Sequence, residues 1–184
     1  DNRIYVGGQD EIGYFSPARN GKLQYHSLIE RIPAKDRSFA DVWDIISFNK
    51  DMFFRSTNKI FKFTNDDVAS FTAPTEWSYL GFCNGHLFAH DYNAGLMVFE
   101  NNVWKPITAS NELPVSGPVT SLIPMPKDSM LITTIKNGLF VFDGSRISKL
   151  QSVNNQLFET ERIFSATAIN SDWIALATNS SGAI

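Results

Sequence analysis

The sequence has one cysteine, Cys83, in 184 residues, so no disulfide can form within the chain and no cysteine cluster can hold a metal. Positive charge is scarce: 16 Lys and Arg stand against 19 Asp and Glu, a net charge of -3. A nucleic-acid-binding surface needs the opposite, a concentrated positive field. The one local basic patch, Arg31, Lys35 and Arg37, reads as a solvated loop. No apolar run approaches the ~20 residues that span a bilayer, and no charged-then-apolar leader opens the chain. This stretch is therefore expected to touch neither nucleic acid nor membrane. The signatures of catalysis and cofactor binding are missing too. There is no Gly-x-Ser-x-Gly elbow, no Gly-x-x-x-x-Gly-Lys, no dinucleotide fingerprint, no Cys-x-x-Cys and no calcium loop. The segment "GGQDEIG" is glycine-rich but joins two strands and opens no helix, so it lacks the dipole a phosphate would use. No catalytic residue, cofactor or metal is expected.

Helical periodicity is also wanting. The best candidate, 28–40, is interrupted by Pro33. What is abundant is aromatic: 13% of the chain, with fifteen Phe, a composition that favours sheet. The expected class is all-β.

The strands recur. "DNRIYVGGQDEIGYF", "KDMFFRSTNKIFKF", "NGHLFAHDYNAGLMVF", "KDSMLITTIKNGLFVF" and "NSDWIALATNSSGAI" each read as turn, apolar strand, short polar turn, apolar strand. The residue before the second strand of each pair is Glu11, Lys59, Gly95, Gly138 and Gly182, an average spacing of about 43 residues, as in four-stranded propeller blades. An innermost strand precedes the later hairpins at 41–48, 77–84, 119–126 and 164–171, and an outer strand follows the first four in "LQYHSLI", "VASFTA", "VWKPITA" and "RISKLQS". An antiparallel sandwich also has strands at short intervals, but it does not predict that every fourth strand resembles itself.

Residues 1–184 are therefore read as a partial β-propeller of about four four-stranded blades, with hairpins near 3–15, 51–63, 86–99, 129–142 and 173–184 and no separate second domain. "DWIALATNSSGAI" duplicates the strands of "RIYVGGQDEIGYF", and two copies cannot fill one place in a sheet. The expectation is a piece cut within a blade, associating with itself or with the rest of the propeller through open strand edges.

"IYVGGQDEIGYF" and its relatives resemble the two-component regulator propeller repeat. Tyr5, Val6, Gly7 and Gly8 match its Trp-Ile-Gly-Thr segment, and Gly95-Leu96 and Gly138-Leu139 match its Gly-Leu pair; Glu11 and Lys59 stand where that family has Gly. The resemblance implies the ligand-sensing portion of a periplasmic receptor of Bacteroidetes, anchored in the inner membrane. Its output would be a histidine kinase or a DNA-binding domain.

Within such blades the loops between second and third strands, and those entering each innermost strand, emerge on one face and form the usual platform for ligand. Here they carry Gln9, Asp10, Glu11, Arg55, Ser56, Asn58, His90, Asp91, Tyr92, Asn93, Lys136 and Asn137, with Arg37, Trp43, Trp77 and Asn111 at the inner entries. Aromatics beside planar polar groups suit a saccharide, so Arg55, Trp77, His90, Tyr92 and Asn93 are the candidate ligand-binding residues for a small molecule or oligosaccharide. Trp43 and Trp77 have a second reading, packing between blades. His86 and His90 are four apart; on a strand that places them ~13 Å apart, too far for one ion. The expected function is non-catalytic sensing of a glycan-derived ligand. The alternatives are a propeller-fold polysaccharide lyase or hydrolase, and a protein-interaction propeller.

Overall fold

Short polar turns between apolar runs close the chain into consecutive hairpins. The computed structural model describes residues 2–107, 113–114 and 117–184. Two compact units make up the chain, Asp1–Leu80 and Gly81–Ile184.

In the first unit, β1 (Ile4–Gly8), β2 (Glu11–Pro17) and β3 (Leu23–Ser27) form a three-stranded sheet, and β4 (Asp44–Phe48), β5 (Asp51–Arg55), β6 (Lys59–Phe63) and β7 (Val68–Thr72) a four-stranded one. Each strand pairs antiparallel with the next in sequence, the meander of a propeller blade. Ile12, Ile32, Phe39, Phe54, Phe61 and Phe63 build the core. Phe39 meets Phe61 edge-on with centroids 4.9 Å apart, an arrangement that adds to the area buried. In the segment 28–40 Pro33 does divide the chain: single 3-10 turns lie on either side, Ile29–Arg31 and Ala34–Asp36. The first ends before a residue that has no N–H to continue it, and the second begins with Asp36 N–H donating to Pro33 O at 2.8 Å.

The second unit takes up the chain within β8 (Trp77–Cys83), which belongs to a four-stranded sheet with β9 (His86–Asp91), β10 (Gly95–Glu100) and β11 (Val103–Pro106). Another is formed by β12 (Val119–Pro124), β13 (Met130–Thr134), β14 (Gly138–Phe142) and β15 (Ile147–Lys149), and a two-stranded sheet by β16 (Ile163–Ala168) and β17 (Ile174–Thr178). Ile123, Leu131, Leu139, Phe158, Ile163 and Leu176 pack together as its core. Every residue of β13 is buried, which is why "MLITT" reads as an unbroken run rather than an alternation. The outer strand β11, by contrast, has no buried residue.

Two details repeat beyond the strand count. The inner strands β12 and β16 each carry an irregularity near their start, between Val119 and Ser121 and between Ile163 and Ser165. Ser121, just past the first, accepts a hydrogen bond from Ala166 N–H at 2.8 Å. One element was not expected: α1 (Asn155–Thr160), between β15 and β16, which inserts Phe158 into the core. Six residues with one buried side chain leave no apolar period to read.

Candidate functional site

The hairpin turns that carry the candidate residues are built by local side-chain chemistry. In the later repeats a three-residue turn separates paired residues four apart. Asp91 Oδ1 accepts from Asn93 N–H at 3.0 Å and Ala94 N–H at 2.9 Å, and Gly95 then takes φ +77°. Thr134 and Thr178 do the same work with hydroxyls, and Gly138 and Gly182 take φ +82° and +71°. The two earlier repeats have a two-residue turn and no glycine at that point. Gly8 pairs with Glu11 across Gln9-Asp10, and Ser56 N–H donates to Lys59 O at 2.8 Å across Thr57-Asn58. The departure from the Gly-Leu pair at Glu11 and Lys59 therefore has a backbone cause: with the shorter turn neither position takes a positive φ, and in the first repeat the left-handed residue is Asp10, φ +50°, inside the turn.

Within the first unit, Arg55 and Trp77 come together. Arg55 ends β5, buried, with its Nε paired to Asp44 Oδ2 and its Nη1 donating to Trp77 O at 2.8 Å. The ring of Trp77 is buried too, at 2% exposure, and its Nε1 donates to Phe71 O at 3.3 Å. Both side chains thus brace the inner entry to β8. Of the two readings of the tryptophans, Trp77 takes the packed one while Trp43 is 63% exposed. Asp10 is structural as well, its Oδ1 accepting from Phe39 N–H at 2.6 Å and Ala40 N–H at 2.7 Å.

The basic patch is not a simple solvated loop. Arg31 Nη2 donates to Thr64 O at 2.9 Å and Asp67 O at 3.1 Å, and Arg37 buckles its own loop through Ile32 O at 2.8 Å and Glu30 O at 3.0 Å. Lys59, Ser70 and Asp36 form a half-hidden network. Lys59 Nζ donates at 2.7 Å and Ser70 Oγ at 2.9 Å, and the Lys59 bond, first among its causes, holds the Asp36 carboxyl below the usual range.

Within the second unit, His90, Tyr92 and Asn93 share one turn. His90 is 1% exposed, and burial drives its imidazole down to about 4, against a smaller upward pull from Asp91. Its ring meets Tyr92 edge-on at 6.4 Å. Tyr92 is half-buried and Asn93 exposed, so these two are the candidates that present surface. His86 and His90 lie on the one strand β9, at strand spacing. Among the described residues no three His, Cys, Asp or Glu side chains are grouped as a metal would need, and no helix is long and apolar enough to cross a membrane. Asn111 lies outside the described residues.

No protein-family model matches the sequence, and no curated protein is detectably similar to it. Solved structures are similar. The WD40 β-propeller domain of Doa1 superposes with a TM-score of 0.67 at 9% identity, over 97% of this chain and 59% of its own. YCF48 from Cyanidioschyzon merolae does so with 0.63 at 9% identity, over 98% and 67%. The extracellular domain of BT4673 from B. thetaiotaomicron, assigned as a one component system, gives 0.67 at 14% identity, over 99% of this chain and 26% of its own. The chain thus spans about three-fifths of the first of these and a quarter of the last. At such identities the likeness concerns the fold, and with the sequential four-stranded sheets it makes this chain a β-propeller portion built of antiparallel blades.

Proposed function

We propose that the chain is the ligand-sensing portion of a periplasmic signal-transduction receptor of the two-component regulator propeller type, non-catalytic, and that it recognises a small glycan-derived ligand. The observation that carries the reading is the turn after β9. Asp91 is fully buried and locks the backbone of Asn93 and Ala94, so that Tyr92 and Asn93 stand on a preorganised support. A fixed aromatic next to an amide suits a sugar, whose apolar ring face stacks while a hydroxyl takes the amide. Support also comes from the similarity to an extracellular domain assigned to a one component system, and from the repeat itself. Ligand would change the packing or pairing of blades, and open strand edges would provide contacts to a second copy or to further blades.

The test is a thermal-shift screen of oligosaccharides against the chain. A ligand that binds the native state raises the melting temperature, and continues to raise it with the logarithm of its concentration above Kd. The expected result is a shift that Tyr92→Ala and Asn93→Ala each reduce. A shift unaltered in both variants would remove this turn from the site, and cleavage of any oligosaccharide in the screen would favour the lyase or hydrolase alternative.

A further inference from the structure

Arg3, Arg31 and Lys50 come from three separate stretches of the first unit and meet at the end of its sheets away from the 9–10 and 57–58 turns. Arg3 immediately precedes β1, Lys50 immediately precedes β5, and Arg31 closes the 3-10 turn that follows β3. Between them lies an open cavity of about 310 Å³ whose walls include Tyr5, Tyr14 and Phe63. That volume is at the lower end of small-molecule sites, ~300–1,000 Å³.

The two guanidinium groups are held, not trailing. The Arg3 guanidinium carbon sits 4.5 Å from the centroid of the Tyr14 ring. That of Arg31 lies 5.5 Å from the Phe63 centroid, and its bonds to the carbonyls of Thr64, Asn65 and Asp67 all run through Nη2, one of three nitrogens in a group with five N–H donors. Among the described residues, no Asp or Glu lines the cavity. Two acids close in sequence are engaged elsewhere: Asp51 pairs with Lys62 at 3.0 Å, and Asp67 Oδ1 accepts from Val68 N–H at 2.8 Å.

Comparison with the second unit separates what the repeat imposes from what it does not. A cavity of about 340 Å³ there is lined by His86, Phe88, Asp128, Met130 and Phe142. His86 and Phe88 stand at the start of β9 as Arg3 and Tyr5 stand at the start of β1. Asp128 and Met130 stand at β13 as Lys50 and Met52 stand at β5, and Phe142 ends β14 as Phe63 ends β6. The notch and its aromatic wall are therefore products of blade geometry. Its charge is not, because the place of Lys50 in one notch is taken by Asp128 in the other.

We propose that the cationic notch binds a small ring-bearing carboxylate, with the carboxylate among Arg3, Arg31 and Lys50 and the ring against Tyr5, Tyr14 and Phe63. Guanidinium groups fixed on aromatic faces offer planar donors to a carboxylate without first having to be ordered, and the walls bury the apolar part of the ligand. The site is separate from the turn of Tyr92 and Asn93 and stands whether or not the chain is a sensor.

Benzoate and glucuronate, each against its neutral counterpart benzyl alcohol or glucose, are titrated into the 184-residue chain and followed by calorimetry and by amide chemical shifts. The expected result is saturable binding of at least one acid, not matched by its neutral partner, with shifts centred on residues 3, 14 and 50. Raising salt from ~20 mM to ~200 mM should weaken it several-fold. Arg3→Gln and Lys50→Gln should each weaken it about two- to fivefold, the range of exposed charge pairs, and Lys50→Glu more. Lys149→Gln, whose lysine pairs with Glu159 in the second unit, should leave it unchanged. Thermal melts of each variant verify that the fold is intact. Equal binding of acid and neutral partner, an affinity untouched by Lys50→Glu, shifts centred elsewhere, or no saturation by either acid up to ~10 mM would each overturn the proposal.

Discussion

The hydroxyl of Thr134 donates to the carbonyl of Gly138 at 2.8 Å while accepting from Asn137 N–H at 3.1 Å, and Thr178 makes the same pair of bonds with Gly182 O at 2.9 Å and Ser181 N–H at 3.2 Å. One threonine thus closes a three-residue turn whose last step needs a left-handed residue. Gly138 has φ +82°, and a Cβ added there would meet nothing nearer than 3.9 Å. The penalty of Gly138→Ala is consequently backbone strain alone, about 1–2 kcal/mol by urea unfolding. Thr134→Val should cost about 1 kcal/mol, as two local bonds are lost at a buried site. A neutral Gly138→Ala would show that the turn does not hold this conformation in solution.

Arg55 and Asp44 form a partly buried charged pair in the first unit. Arg55 is largely buried and Asp44 28% exposed, and Asp44 Oδ2 also accepts from Leu80 N–H at 3.0 Å. Arg55→Met leaves Asp44 without its cation and the Trp77 carbonyl without its donor, and should destabilise by about 2–4 kcal/mol. Arg55→Lys should recover little, because an ammonium cannot reach both partners in the guanidinium's fixed geometry. Full stability in Arg55→Lys, read from the denaturation midpoint, would contradict this account.

His90 makes stability depend on pH in a defined window. Unfolded, its imidazole takes up a proton below ~6.5; folded, burial holds it neutral down to about 4. Stability is thus fully present above ~6.5 and declines as pH falls from there toward 4, by about 1.4 kcal/mol per pH unit and at most about 3 kcal/mol. His90→Gln should flatten the melting-temperature profile between those values, whatever its absolute stability. An identical slope in the variant would assign the dependence to other groups.

Cys83 is fully buried, and burial raises its thiol to about 11. The native protein at pH 8 should react with a thiol reagent only as fast as it unfolds, and at the rate of a free thiol in denaturant. Rapid modification of the native state would show that β8 opens locally.

Most of the strand pattern was legible because its cause is local. Apolar runs bounded by turn residues placed β5–β6 within a residue or two of their bounds, and together with the Gly before the third strand did the same for β13–β14. The exchange of Gly for Glu11 and Lys59, and the turn shorter by one residue that goes with it, were visible in the sequence; the register and the backbone angles supplied the link between the two. Helix α1 escaped because it depends on one buried ring, Phe158, and not on a period.

The candidate site was legible only as a set of loops. Sequence alone placed Arg55, Trp77, His90, Tyr92 and Asn93 near turns or strand entries, and gave Trp43 and Trp77 the same two readings. Tertiary packing separated them: Trp77 became a wall and Trp43 a surface, Arg55 turned inward to Asp44, and Tyr92 and Asn93 stayed at the boundary. The meeting of Arg3, Arg31 and Lys50 was beyond the sequence for the same reason, since residues up to 47 positions apart share a cavity only when two sheets face each other. The repeat by itself determined the blades, because hydrogen bonding and side-chain alternation act over a few residues. Which side chains face solvent, each other or a cavity was decided by the packing of one sheet on the next, a contact between positions that the period makes equivalent and the residues make different.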